Sequence, residues 1–301
     1  MEFIKIVVCL LLVSSASELV AQRSGKVIDS TTNDPIPYVN IWIESTDEGT
    51  SSDINGSFLI EDLMPGQYLI FSAVGYDTKR IAASDLKSTI SLNSIITNLD
   101  EVVITASKER QKVLIGNFKK SKINYFYSAS SRPKICARYF GDIGRDHLNA
   151  QLKIVKIHTK ATVSEARFQI RIYGVGADNQ PGDLLHDDNI FGIAKKGNKV
   201  TVVDLSEYHI AIPETGIFIA VEWLVIDENI YYDKGRNVET REKVKYSAYD
   251  PLVGIVVSEV NPNSWIYENG MWSQVVKNPD YMGKKERGKY NMVAMELVLI
   301  E

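Results

Sequence analysis

Apolar and polar residues alternate with period two along most of this chain. Val39, Ile41 and Ile43 interleave with Asn40, Trp42 and Glu44, and Phe58 and Ile60 interleave with Ser57, Leu59 and Glu61. Further on, Phe168, Ile170 and Ile172 alternate with Arg167, Gln169 and Arg171. Ile217, Ile219, Val221 and Trp223 repeat the pattern, and Val293, Met295, Leu297 and Leu299 repeat it near the end. Successive side chains of a strand point to opposite faces, so each run predicts a strand with one buried face. Turn signals separate the runs: Asn55-Gly56, Pro65-Gly66, Gln180-Pro181-Gly182, Gly197-Asn198 and Asn269-Gly270. No long stretch carries a helical period. Short strands with regular turns predict an all-β, sandwich-like architecture.

Two stretches depart from the pattern. "MEFIKIVVCLLLVSSASELVAQ" has Lys5, an apolar run from Ile6 to Val13, and small residues at Ala16 and Ala21. This reads as a secretory signal peptide over residues 1–21, its run being shorter than the roughly 20 apolar residues a membrane span needs. Cys9 lies inside the apolar run, which is not the place of a lipoprotein acylation site. The second departure, "SKERQKVLIGNFKKSKIN", is charged and weakly patterned and suits a connector. The expected division is therefore a domain over 22–105, a linker over 106–124 and a larger domain over 125–301.

Composition narrows the function classes. The 301 residues carry a net charge of −4 with no basic block, so there is no electrostatic footprint for nucleic acid. Beyond Cys9 the chain holds one cysteine, Cys136, which leaves no internal disulfide and puts stability on packing. A buried small hydrophobe is the commoner reading of such a thiol; a reactive or interchain thiol is the alternative. No later stretch is long and apolar enough to be a transmembrane helix, so the expected location is exported: periplasm, outer-membrane-associated or cell surface.

"SSDINGSFLIED", residues 51–62, approaches the calcium-loop pattern, with Asp53, Asn55, Gly56 and Asp62 on positions three, five, six and twelve. Ser51 brings no carboxylate to position one, however, and both flanks alternate with period two rather than forming helices. Asn-Gly between alternating segments predicts a type I′ hairpin. No metal is expected there.

The same region carries a family resemblance. Gly25-x-Val27-x-Asp29, Pro35-x-Pro37-x-Val39-x-Ile41, Gly49-Thr50, Asp53-x-x-Gly56-x-Phe58 and Gly75-Tyr76 resemble a carboxypeptidase regulatory-like domain over about residues 23–93. The resemblance implies an N-terminal seven-stranded transthyretin-like sandwich, a non-catalytic accessory module of Bacteroidetes-type envelope proteins. "LDEVVITA", Leu99 to Ala106, is similar to the segment that follows such a domain in TonB-dependent receptors. It is read as the last strand of the first sandwich, with a docking strand as the alternative. The remaining chain is too short for a plug and a large barrel.

"FQIRIYGVGADNQPGDLLHDD" and "VTVVDLSEYHIAIPETGIFIAVEWL" loosely resemble an exported jelly-roll module, so the second domain is expected to be a jelly-roll-like β-sandwich. His147, His158, His186 and His209 fit no HExxH helix, and no nucleophile elbow or phosphate-cradling loop appears. No catalytic residue, metal or cofactor is expected. "HDDN" at 186–189 is read as a solvated loop, and Arg167, Arg171 and Glu222 as exposed strand-face charges, with a polar groove as their alternative. The loops at 233–245 and 277–290 are expected to be mobile rims.

The candidate ligand-binding residues are Trp265, Tyr267 and Trp272 in "SWIYENGMWSQV". Trp265 and Tyr267 are two apart and share a face of a hairpin turning at Asn269-Gly270, a surface suited to stacking on sugar C–H faces or a protein partner. Cross-strand stabilisation of the hairpin is the plainer role. The sequence thus predicts an exported, non-catalytic binding or scaffold protein recognising a glycan or an envelope protein. The alternative is an accessory of TonB-dependent transport docking through residues 99–106.

Overall fold

The computed structural model describes residues 21–46, 48–95, 111–130, 132–141, 143, 147, 150–236, 243–268, 270–279 and 283–301. Residues 1–20 of the expected signal peptide and the Leu99–Ala106 segment lie outside the described residues. The chain is all-β. Seven strands come first: β1 (Ala21–Asp29), β2 (Asn40–Ile43), β3 (Gly49–Ser51), β4 (Ser57–Leu63), β5 (Tyr68–Ser72), β6 (Lys79–Ala82) and β7 (Thr89–Leu92). They form two sheets, β4-β1-β7 and β3-β2-β5-β6. Between these sheets lie Val27, Phe58, Ile60 and Ile90 from one and Ile41, Ile43, Leu69 and Phe71 from the other, all buried. This is the seven-stranded sandwich that the family resemblance implies.

The Asn55-Gly56 signal gives a tight turn but not a hairpin. The Gly56 N–H donates to the Asp53 carbonyl at 3.0 Å, and Asp53 Oδ1 accepts from the Asn55 and Ser57 N–H groups at 2.8 Å each. Gly56 sits at φ +73° while Asn55 keeps a negative φ, so the turn is not type I′. The strands it joins, β3 and β4, belong to opposite sheets. The Asp53 carboxylate is thus occupied by turn N–H groups, the usual work of an Asx residue.

The second part is a larger two-sheet sandwich. Its strands are β8 (Lys112–Ile115), β9 (Phe126–Ala129), β10 (Ile135–Phe140), β11 (Gln151–Ala161), β12 (Ala166–Val175), β13 (Pro181–Leu184), β14 (Ile190–Ala194) and β15 (Gly197–Asp204). There follow β16 (Ile217–Trp223), β17 (Ile230–Arg236), β18 (Lys243–Ser258), β19 (Trp265–Glu268), β20 (Met271–Gln274), β21 (Tyr290–Val293) and β22 (Met295–Ile300). One sheet runs β13-β12-β16-β10-β19-β20, with β14 also on β12. The other runs β17-β18-β11-β22-β8, joined by β15, β21 and β9. Phe168, Ile170, Ile172, Ile219, Val221 and Trp223 from the first face Leu152, Val155, Ile157, Met295, Leu297 and Leu299 from the second. Trp223 is fully buried and its indole N–H donates to the Pro251 carbonyl at 2.6 Å, which satisfies the polar tip of the largest core side chain.

Several expectations change here. Lys112–Ile115, inside the expected connector, pairs with β22, because Val113 and Ile115 have a core face to cover. Residues 233–236 and 243–245 are not loops: Asp233 through Arg236 pair in register with Tyr246 through Lys243 as the arms of a hairpin. At 277–279 and 283–290, the buried Asn278 amide donates to the Glu286 carbonyl at 3.0 Å and to Asn291 Oδ1 at 2.7 Å, joining the two described stretches. Cys136 is buried in the core, and burial pushes its thiol up to about 12.

Candidate functional site

Alternation explains how a site arises between the sandwiches. Ile41 and Ile43 of β2 point into the first core, so Asn40 and Trp42 point outward. Ile170 and Ile172 of β12 point into the second core, so Gln169, Arg171 and Tyr173 point out of it. On β16, Phe218, Ala220 and Glu222 share that outward face, yet all three are buried. The cover comes from the β19–β20 hairpin and from the first sandwich.

Strand register sets one row of residues across this outward face. Gln169 pairs with Glu222, Glu222 with Ile135, Ile135 with Tyr267, and Tyr267 with Trp272. Tyr267 and Trp272 meet edge to face at 5.2 Å between centroids, and Tyr173 meets Trp272 at 5.5 Å. Trp265 lies against Ala137, with its indole N–H donating to Asn263 Oδ1 at 2.8 Å. The three candidate aromatic residues are therefore half-buried against Ile135, Ala137 and Phe218 rather than free on a hairpin face.

A cleft of about 190 Å³ opens between this row and the first sandwich. Asn40, Trp42 and Ser72 form one wall; Ile135, Tyr173, Tyr267 and Trp272 form the other, with Arg171 and Glu222 at the polar centre and Arg132 and Pro133 beside them. Tyr267 and Trp272 thus line the cleft, whereas Trp265 does not. Gly49 makes the close approach possible, since a Cβ there would lie 3.0 Å from Pro133 and 3.1 Å from the Trp42 side chain.

The polar centre ties the two sandwiches together. Arg171 Nε donates to Glu222 Oε2 and the Asn40 side-chain amide donates to Glu222 Oε1. The Ser51 hydroxyl donates to Asn40 Oδ1 at 2.9 Å and accepts from the Val225 N–H at 3.0 Å. The Ser51 N–H donates to the Val225 carbonyl at 3.0 Å, a main-chain link between the sandwiches. Arg171 and Glu222 are only 6% and 2% exposed. Burial pushes the Glu222 carboxyl above the usual carboxylate range, opposed by the adjacent guanidinium. Burial also raises the Tyr173 and Tyr267 phenols, so both stay protonated.

The expectation of exposed charges fails for Arg171 and Glu222, while Arg167 is half-buried. The missed signal was the continuous run "IFIAVEW" at 217–223. A run apolar on both parities marks a strand covered on both faces, and Glu222 is its one charged member. The other candidates stay apart. His186 Nε2 lies 3.2 Å from Asp188 Oδ2 and its ring packs on Tyr208. His147 contacts Glu301. Among the described residues, no group of three His, Cys, Asp or Glu side chains is placed to hold a metal.

Residues 23–104 match the family model of the CarboxypepD_reg-like domain, a non-catalytic regulatory fold. Over 80 residues the chain is 34% identical to TonB-dependent receptor P39 of Formosa agariphila, a match spanning 26% of this chain and only 8% of the receptor. Among solved structures, the cysteine protease and lectin-like domains of Cwp84, a surface layer associated protein of Clostridium difficile, align over 93% of this chain and 62% of that one. The identity there is 11% and the TM-score 0.36. The infectious bursal disease virus Gx strain aligns over 93% and 65%, at 13% identity and a TM-score of 0.24. Neither score defines a shared fold. The family match and the receptor relative together fit an envelope-associated binding or scaffold role.

Proposed function

We propose that this chain is an exported, non-catalytic binding protein of the cell envelope, and that it recognises a glycan in the cleft between a transthyretin-like and a jelly-roll-like sandwich. The observation that carries this reading is the lining: Trp42, Tyr173, Tyr267 and Trp272 surround a polar centre at a junction between two domains. Clefts at domain junctions, mostly apolar with a few convergent polar groups, are the usual form of small-ligand sites. Flat rings suit sugar C–H faces, and the polar centre suits hydroxyls. The lining offers no unpaired carboxylate dyad or activated nucleophile, which favours binding over turnover.

The test is a glycan-array screen of the chain lacking residues 1–21, beside the Tyr267→Ala/Trp272→Ala variant. Binding by the wild type and its loss in a folded variant is the expected result. A folded wild-type protein that binds no glycan refutes the reading.

The receptor relative favours a second reading, docking of residues 99–106 to a partner in TonB-linked transport. Deletion of residues 99–106 should then remove one product from in-cell cross-linking. An unchanged cross-linking pattern would refute it.

A further inference from the structure

The cleft has a feature that neither sandwich has by itself. Its polar centre is one hydrogen-bonded unit spanning both: Ser51 and Asn40 from the first sandwich, Glu222 and Arg171 from the second. Trp42 sits two residues from Asn40 on the same outward face of β2, so the residue that holds Glu222 and the ring lining the wall move together. Ser72, paired directly with Asn40 across β2 and β5, adds a hydroxyl to that wall.

Size limits the ligand. About 190 Å³ is below the roughly 300–1,000 Å³ of pockets that enclose drug-sized ligands. One six-membered ring fits; a run of linked rings does not. Chemistry limits it further. The guanidinium is a fixed fork of donors, and each carboxylate oxygen has acceptor capacity beyond the one hydrogen bond it accepts from Arg171 or Asn40. A donor fork beside an acceptor complements two adjacent hydroxyls, each of which can accept from the cation and donate to the anion. A ligand with a single charge has no such match, because the pair already neutralises itself.

We propose that the site is composite and takes one terminal saccharide residue, with two adjacent free hydroxyls on Arg171 and Glu222 and its ring face on Trp42 of the first sandwich. The regulatory-like domain is then half of the recognition site rather than a spacer, and Trp42 and Asn40 set which sugar is accepted. Asn40 acts as a positioning residue, by holding the Glu222 carboxylate. This inference rests on the glycan reading above but can fail separately.

The experiment uses the chain lacking residues 1–21, with Trp42→Ala, Trp42→Phe and Tyr267→Ala/Trp272→Ala variants. Each is checked by thermal melting, then titrated by calorimetry with the monosaccharide matching the non-reducing end of its best array glycan. The same sugar lacking one of the two adjacent hydroxyls is the second probe. We expect Trp42→Ala to weaken binding at least tenfold at an unchanged melting temperature, Trp42→Phe to retain most of it, and the deoxy sugar to weaken it at least tenfold. Asn40→Asp should shift the ranking among monosaccharides, which loss of fold alone would not do. If Tyr267→Ala/Trp272→Ala abolishes array binding while Trp42→Ala and the deoxy sugar change nothing, the composite site is wrong and the glycan reading stands. If the free monosaccharide fails to bind while longer glycans do, the single-residue assignment is wrong. If no glycan binds, both fall.

Discussion

Replacing Glu222 by Leu would leave the Arg171 guanidinium buried without its carboxylate and the Asn40 amide without its acceptor. Arg171 is 6% and Glu222 2% exposed, so each reaches water only through the edge that lines the cleft, and the Arg171–Glu222 contact itself is buried. Removing one partner of a buried pair costs about 3–5 kcal/mol. With a urea m-value of about 3 kcal/mol/M, that shifts the midpoint of the second sandwich down by about 1–1.7 M. Replacing both residues, Arg171→Met with Glu222→Leu, removes the stranded charge and leaves the Asn40 donor unpaired, worth about 1–3 kcal/mol. With the single change centred at about 4 kcal/mol and the double at about 2, the double variant should regain about 2 kcal/mol over the single one, and an Asn40→Leu change added to it should regain more. The assay is equilibrium urea unfolding followed by Trp fluorescence, for which Trp223 is a fully buried reporter of the second core. Far-UV circular dichroism run in parallel identifies separate transitions of the two sandwiches. A single variant that loses less than about 1 kcal/mol would mean the carboxylate is solvated in solution. A double variant no better than the single would mean the two groups do not act as a pair.

Three further outcomes are expected. His158 is fully buried between Phe118 and Phe126, and burial, aided by Lys120, holds its pKa below the ordinary 6.5. The native state thus binds fewer protons than the unfolded one, so stability is complete above about pH 6.5 and falls with acid below it. One such group adds at most about 1.4 kcal/mol per pH unit; unfolding midpoints should fall with acid from pH 8 to 5, and His158→Leu should lessen that fall. Cys136, with its thiol near 12 and buried, should resist a disulfide reagent at pH 8 in the native chain lacking residues 1–21 and react once per chain in urea. Labelling of the native protein at the unfolded rate would contradict this burial. Gly56→Ala should cost about 3 kcal/mol, the upper end for left-handed strain, because its Cβ would also lie 2.5 Å from the Val27 carbonyl that accepts from the Ile36 N–H. A thermal midpoint within about 2 °C of wild type, the shift of about 1 kcal/mol or less, would refute that.

Much of the fold was legible because alternation is a local property. Val39, Ile41 and Ile43, or Phe168, Ile170 and Ile172, declare their core face without knowledge of any other strand, and the structure buries each of them. Pairing is not local. Asn55-Gly56 specifies a tight turn, and the turn forms, but whether its arms pair depends on which sheet each arm joins. The positive φ at Gly56 with negative φ at Asn55 is the trace of that choice. The segment 112–115 was hidden for the same reason. Four residues, of which Val113 and Ile115 turn to the core and the equally apolar Leu114 does not, are too short to show a period, and only the free edge of β22 makes them a strand.

The site was less legible because it depends on what covers an outward face. Period two assigns Arg171 and Glu222 correctly to the side away from the second core, and by itself that assignment means solvent. What reverses it is a second layer, the first sandwich, whose outward Asn40 and Ser51 are polar in the places where Glu222 and the Val225 backbone need partners. The apolar part of the same contact, Tyr38 with Leu224, Ile226 and Phe191, fills the rest. A surface evolved only for solubility has no need to hide Phe218 and Ala220 at the foot of a charged pair. Burying an ion pair is no route to extra stability, since well-packed apolar groups do as well or better. The pair's retention beside an open cleft, with aromatic rings on both walls, is better accounted for by what it can hold there than by what it holds together.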